Sequence, residues 1–154
     1  MKDYKEFSFG WLMFVFVPPV LVFITYLFLN DLGNNPLTIS GYITVIIVTG
    51  LVCLLFYGLT TRVTPEKIKV SFGIGLITKT ILLNRIKTIE EVRNPWYYGW
   101  GIRIIPKGML FNISGAKGIE LKFTDSNRIV RIGSQNPFVL KQEIEKRLTQ
   151  FKQP

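Results

Sequence analysis

The sequence predicts a membrane α-helical hairpin followed by an all-β domain of about seven antiparallel strands, closed by one C-terminal helix. Three observations carry that prediction. Two long stretches hold no charged residue: 7–30, which is 24 positions, and 32–61, which is 30. Beyond residue 61, apolar and polar residues alternate in short runs, the period of a half-buried strand. After Asn136 the period lengthens to that of a helix, with Leu140, Ile144, Leu148 and Phe151 on one face.

The chain of 154 residues is 48% hydrophobic and only 19% charged, which excludes a disordered segment and an ordinary soluble globule. A helix needs roughly 20 apolar residues to cross a bilayer core of about 30 Å. Residues 9–29 and 39–59 meet that length and are apolar all round, whereas a buried helix of a soluble protein keeps a polar stripe. A cleaved signal peptide would need a basic start, a shorter apolar run and a small-residue cleavage site. Here Lys2 and Lys5 are offset by Asp3 and Glu6, and the first run ends in Leu-Asn-Asp. Pro18 and Pro19 predict a static bend that fits the first span to the second. Residues 30–36 form a turn rich in Asn, Gly and Pro. That loop carries one Asp and no base, while Arg62, Lys67, Lys69 and Lys79 follow the second span. The positive-inside rule then places the loop outside and both termini in the cytoplasm of a multi-pass cell-membrane protein. The expected division is 1–61 for the hairpin, with spans at about 9–29 and 39–59, and 62–154 for a cytoplasmic domain able to fold without the spans.

Residues 62–154 hold 17 Lys or Arg against 7 Asp or Glu, a formal balance of +10. A first strand is expected at 67–72, a turn at Gly73-Ile74-Gly75, and a second strand at 76–83. A third, 85–93, has Ile86, Thr88 and Val92 as inward candidates. Strands 102–105 and 109–113 are split by Pro106, which breaks a ladder. In 119–123, Ile119, Leu121 and Phe123 alternate with Glu120 and Lys122. Thr124-Asp125-Ser126-Asn127 is a hairpin loop, and 128–132 returns. Asn136 before Pro137 is a helix start, a capping side chain followed by Pro at the first helical position. Glu143, Glu145, Lys146 and Arg147 fall mostly on the other faces. A sheet this small needs such a helix to cover its inner face, which gives a barrel or bent sandwich.

The runs Gly99-Trp100-Gly101-Ile102-Arg103, Pro106-Lys107-Gly108, Phe111-Asn112-Ile113-Ser114-Gly115, Arg131-Ile132-Gly133 and Asn136-Pro137 together resemble the bacterial PH-like (pleckstrin-homology-like) domain proteins of the small, membrane-anchored kind. The resemblance spans roughly residues 60–150 and implies an all-β PH-like barrel with a C-terminal helix. It implies no catalytic residue and names no ligand. Phosphoinositide-binding PH domains place a Lys on the first strand and a Lys/Arg-x-Arg on the second. Lys69 and Lys79 match two of those positions and Ile81 departs from the third. The hairpin tip at 72–76 is apolar, which suits a tip dipping into a bilayer or a protein contact. Asn112-Ile113-Ser114 matches a glycosylation sequon by coincidence, since it falls on an expected strand on the inner side.

The absence of His excludes His-based catalysis and His metal sites, and the single Cys53 excludes an internal disulfide or a Cys-cluster site. Cys53, inside the second span, is expected to pack as a small apolar group. Neither glycine pair carries a phosphate-loop ending. Glu90 and Glu91 are adjacent on a strand and point to opposite faces, and Ser114 has no His to activate it. No enzyme activity, cofactor or metal is expected. The expected contacts with lipid or a partner are the early bases Lys67, Lys69, Lys79, Arg85 and Lys87, read as one membrane-facing surface, and the aromatics Trp96, Tyr97, Tyr98 and Trp100, which favour interfaces. The leading expectation is a non-catalytic interaction or scaffold module held at the membrane. An anionic-lipid-sensing module is second. A small transporter or membrane enzyme is third, and it lacks the intramembrane ionisable residues it would need. Membrane lipids, possible anionic headgroups among them, and a protein of unstated identity are the expected partners. Nucleic acid is not expected, and the spans leave homo-oligomerisation open.

Overall fold

The computed structural model describes residues 3–152, with side chains as far as Gln150. The uncharged stretches form helices α1 (Trp11–Leu29) and α2 (Ile39–Phe56). Both are long and apolar enough to cross a membrane, and neither is buried inside the protein. α1 runs unbroken through Pro18 and Pro19. Thr38 caps α2 by accepting from the Gly41 amide at 3.2 Å. Near the connecting loop the helices are tied by a 3.1 Å hydrogen bond between the Thr25 and Tyr42 hydroxyls and by stacking of Phe28 on Tyr42 at 4.4 Å.

The sheet begins before the first helix. Strand β1 (Tyr4–Phe9) pairs antiparallel with β2 (Gly58–Val63), Phe9 opposite Gly58 and Tyr4 opposite Val63. The helical hairpin is therefore inserted at the tip of a β-hairpin, and both its ends emerge on the same side. α2 stops at Phe56, so Gly58 and Leu59, expected as the last turn of the span, instead open β2. Strands β3 (Lys67–Phe72) and β4 (Ile77–Leu82) complete a sheet ordered β1-β2-β3-β4.

The second sheet contains β5 (Ile86–Arg93), β6 (Gly101–Ile105), β7 (Gly108–Asn112), β8 (Lys117–Phe123) and β9 (Ile129–Gly133), in the order β5-β8-β9-β7-β6. β9 lies parallel to β7, and every other pairing is antiparallel. The expected barrel of about seven antiparallel strands is corrected to nine strands among the described residues, in two sheets that do not close. The two additional strands are β1 and β2, which flank the spans. The parallel pair arises because β9 returns between β8 and β7 rather than at a sheet edge.

The inner faces make one core. Val63, Ile68, Ile81, Phe72 and Leu59 from the first sheet meet Ile89, Leu121, Ile119, Ile132 and Phe111 from the second. In β5 the register shifts between Ile86 and Thr88. Ile86 and Ile89 consequently point inward, Thr88 is exposed and Val92 is only half-buried, which corrects the expected inward set.

Helix α3 (Pro137–Lys152) covers this core with Leu140 and Ile144, both fully buried, and with half-buried Leu148. The fourth expected face residue, Phe151, lies outside the described side chains. Asn136 caps the helix, its Oδ1 accepting from the Val139 amide at 3.4 Å. Arg147, expected on a solvated face, is only 2% exposed and donates to the Glu143 carboxylate at 2.5 Å and to its carbonyl at 2.6 Å. A second acid stabilises the start of α3 from a distance in sequence. The Glu6 carboxylate, on β1, accepts from Ser134 Oγ at 2.7 Å and from the Gln135 amide at 2.8 Å. A negative charge at a helix N-terminus complements the free amides and the dipole. Burial raises the pKa of the neighbouring Tyr4 hydroxyl, and the Glu6 charge raises it further.

Candidate binding cleft and membrane-proximal surface

The pairing register separates the early bases instead of gathering them. Directly paired residues of an antiparallel sheet share a face. Lys69 stands opposite Arg62 and Thr80, on the outer face of the first sheet, and Lys67 shares that face opposite Leu82. Lys79 stands opposite buried Val70, so it belongs to the inner-face side, where edge strand β4 leaves the core open. Arg85 lies in a short 3-10 turn and is paired with Asp125 at 2.6 Å. Lys87 sits in the irregular step of β5 and is exposed. The five bases thus form two groups, Lys67 and Lys69 outside, and Lys79, Arg85 and Lys87 beside an opening between the sheets.

A broad, open cleft of about 1730 Å³ includes that opening and spreads around edge strand β4 onto the outer faces of both sheets. Its apolar floor includes Ile81, Ile105, Met109 and Val130, and its rim carries Lys79, Arg85, Lys87, Lys107 and Arg128. Lys107 is held at the β6–β7 turn with φ 68°. The turn is tight because Gly108 lies against β9, where a Cβ would overlap the Ile129 carbonyl. Two acids, Glu90 and Glu120, border the cleft from the outer face of the second sheet, where they pair across β5 and β8. Lys122 relieves that repulsion by reaching Glu90 at 2.5 Å and Glu120 at 3.9 Å. The hydrogen bond to Glu90 raises the pKa of the Lys122 ammonium. Arg131 donates to Glu120 at 2.8 Å and to Asn94 Oδ1 at 3.3 Å, and its guanidinium lies 5.7 Å from the centre of the Tyr98 ring. Both acids are therefore neutralised within the protein. Among the described residues, Lys79, Lys87, Lys107 and Arg128 make no ion pair.

The expected aromatic set also divides. Tyr98 is half-buried against Arg131, while Trp96 and Tyr97 stand out at 86% and 67% exposed, and Trp100 is 43% exposed. Next to Trp100, Gly101 lies close to the Phe56 ring at the end of α2. The β3–β4 turn is near the same level. The Ile74 amide approaches the Leu54 carbonyl at 3.4 Å, and a Cβ on Gly73 would overlap the Leu54 and Leu55 carbonyls. Ile74 and Leu76 are exposed there. The apolar tip and the Trp100 end of the aromatic loop thus flank the point where the helices join the sheets.

Lys107, Lys122, Arg128 and Arg131 were not among the expected contacts. The signal for the last pair was present, because a four-residue loop at 124–127 places Glu120 opposite Arg131 by counting. Asn112 of the sequon is buried and donates to the Gly115 carbonyl at 3.0 Å. No set of three His, Cys, Asp or Glu side chains that could hold a metal ion occurs among the described residues. Comparison with protein-family models, with curated proteins and with solved structures finds no match for this chain.

Proposed function

We propose that this protein is a non-catalytic, membrane-anchored interaction module whose two-sheet domain holds an acidic segment of a partner protein in the open cleft beside edge strand β4. The observation that carries this reading is the imbalance of charge around the cleft. Its acids are consumed by Lys122 and Arg131, while Lys79, Lys87, Lys107 and Arg128 remain available above an apolar floor. A cleft of about 1730 Å³ with an open mouth suits an extended chain better than a single small anion. The excess of bases after the second span supports a cytoplasmic domain and an outside loop. The C-terminal helix over two packed sheets supports assignment as a divergent PH-like domain, with the membrane hairpin inserted between its first two strands.

The test uses the full chain in mild detergent with a fluorescein-labelled peptide of alternating Glu and Leu. Binding should be salt-sensitive, and Lys79→Gln/Lys87→Gln/Arg128→Gln should weaken it at least tenfold. Equal binding by the variant would refute the cleft as the site. A second reading, lipid sensing, is favoured by the exposed Ile74, Leu76 and Trp100 near the helix ends. Preference of the same cleft for a phosphorylated headgroup over the acidic peptide would select it.

A further inference from the structure

We infer that the outer face of the first sheet is a second, separate site, which lies against the membrane and takes anionic phospholipid headgroups through Lys5, Arg62 and Lys69. The pairing sets these three bases side by side across β1, β2 and β3: Lys5 opposite Arg62, and Arg62 opposite Lys69. All three are exposed, and none makes an ion pair among the described residues. Like charges directly opposed on a sheet destabilise it. A row of three without an acid on the same rung is relieved when an anion covers it.

The row continues an apolar surface that begins on the helices. Phe9 stacks on Phe14 of α1 at 4.9 Å, and Phe7 lies 6.1 Å from the ring of Tyr57, the residue that ends α2. Phe7 and Phe9 are 46% and 41% exposed on the same face as the bases. A Cβ on Gly58 would overlap the Phe7 ring, so that ring folds back toward the helices and away from the basic row. From Phe9 to Lys5 is four residues, about 13 Å of strand. Lys and Arg stems span part of that distance while their heads stay polar. Aromatic rings followed by bases match the order of a leaflet, in which interfacial rings sit inside the headgroup charge. The cleft reaches this face only at Thr80 and Leu82 of edge strand β4, and Lys5, Arg62 and Lys69 do not line it, so the two sites use different bases. The inference rests on the membrane placement proposed above.

The test places the full chain in nanodiscs of phosphatidylcholine, with and without one-third phosphatidylglycerol. An environment-sensitive dye is attached to Thr78→Cys in a Cys53→Ala background. Thr78 is exposed on the same outer face, one rung nearer the helices than Lys69. Dye emission should shift to the blue when phosphatidylglycerol is present. The shift should reverse between 50 and 500 mM salt. Each base near an anionic surface is worth about fivefold in partitioning. The variant Lys5→Gln/Arg62→Gln/Lys69→Gln should therefore lose on the order of 100-fold and show no shift, whereas Lys5→Arg/Lys69→Arg should keep it. Cleft variants should also keep it. A shift that survives the Gln variant, or that is insensitive to salt in the unmutated protein, overturns the site, as does equal emission in the two lipids. Failure of the chain to enter nanodiscs at all would instead overturn the membrane placement.

Discussion

If the helical hairpin is an insertion at the tip of a β-hairpin, it should be removable only in one way. Phe9 and Gly58 form the last pair of the β1–β2 ladder. Beyond that pair the Gly10 amide donates to the Tyr57 carbonyl at 2.8 Å, so replacing residues 11–56 with Asn-Gly would close the ladder on a hydrogen-bonded pair with a two-residue turn of the kind that matches strand twist. The product should be a soluble, monomeric domain with all nine strands. Cutting the chain at residue 62 instead removes β1 and most of β2. Leu59 and Thr61, 1% and 2% exposed, are lost, and Val70 and Phe72 are stripped of their β2 neighbours. Burial of one Leu contributes about 1.5–3 kcal/mol. The Glu6 hydrogen bonds at the start of α3 contribute about 1.5–3 kcal/mol each, as charge-assisted bonds. The loss is then roughly 5–9 kcal/mol before the uncovered core is counted, against a total of about 5–15 kcal/mol for a domain.

Circular dichroism melts and amide proton dispersion would compare the two proteins. The Asn-Gly version should unfold in one cooperative transition, and the fragment starting at residue 62 should show none. A cooperative melt of the fragment within a few degrees of the Asn-Gly version would refute the insertion.

In the Asn-Gly version, Leu140→Ala should cost about 2–5 kcal/mol because the side chain is fully buried, and Leu148→Ala should cost less; equal costs in denaturant titration would mean α3 docks by another face. Tyr4 has a folded pKa above its unfolded value. The stability tied to its neutral hydroxyl is fully present below about pH 10 and is lost as pH rises through the folded pKa. Melting temperature should thus fall more steeply above pH 10 in the unmutated sheet domain than in Tyr4→Phe, and parallel curves would exclude the linkage. In a Cys53→Ala background, Gly33→Cys should label from outside intact cells and Asn127→Cys should not; the reverse pattern would invert the topology.

Sequence pattern was informative where pairing partners are close along the chain. The four-residue loop at 124–127 fixes the register of β8 and β9, and the observed pairs Lys122 with Ile129 and Glu120 with Arg131 follow from it. The helix face of Leu140 and Ile144 was equally plain, because the core covers those positions and a period of 3.6 shows through. β1 was not legible. Its partner is separated from it by 48 residues, across two apolar helices, so no turn chemistry marks the pairing. Its period is also disguised, because Phe7 and Phe9 point away from the core and inward-facing Glu6 and Ser8 are polar. The division of the early bases between two faces was hidden for a related reason. Without β1 and β2 there is no Lys5 or Arg62 beside Lys69, and Lys79 has no visible reason to lie on the other face.

The same pairing explains why a charged residue ahead of a membrane span is held so firmly. Glu6 is bonded to Ser134 and Gln135 at the far end of the chain, and it sits between the helical hairpin and the start of α3. β1 therefore connects the anchor to the helix that closes the core. A force or a tilt applied to α1 passes through Phe9 and Glu6 to α3, with no flexible linker between them. A domain tethered by a loop would sample many orientations above a bilayer. This one leaves the hairpin through two adjacent strands, paired up to the residues beside the helices, so the direction of the helices fixes which way the sheets face.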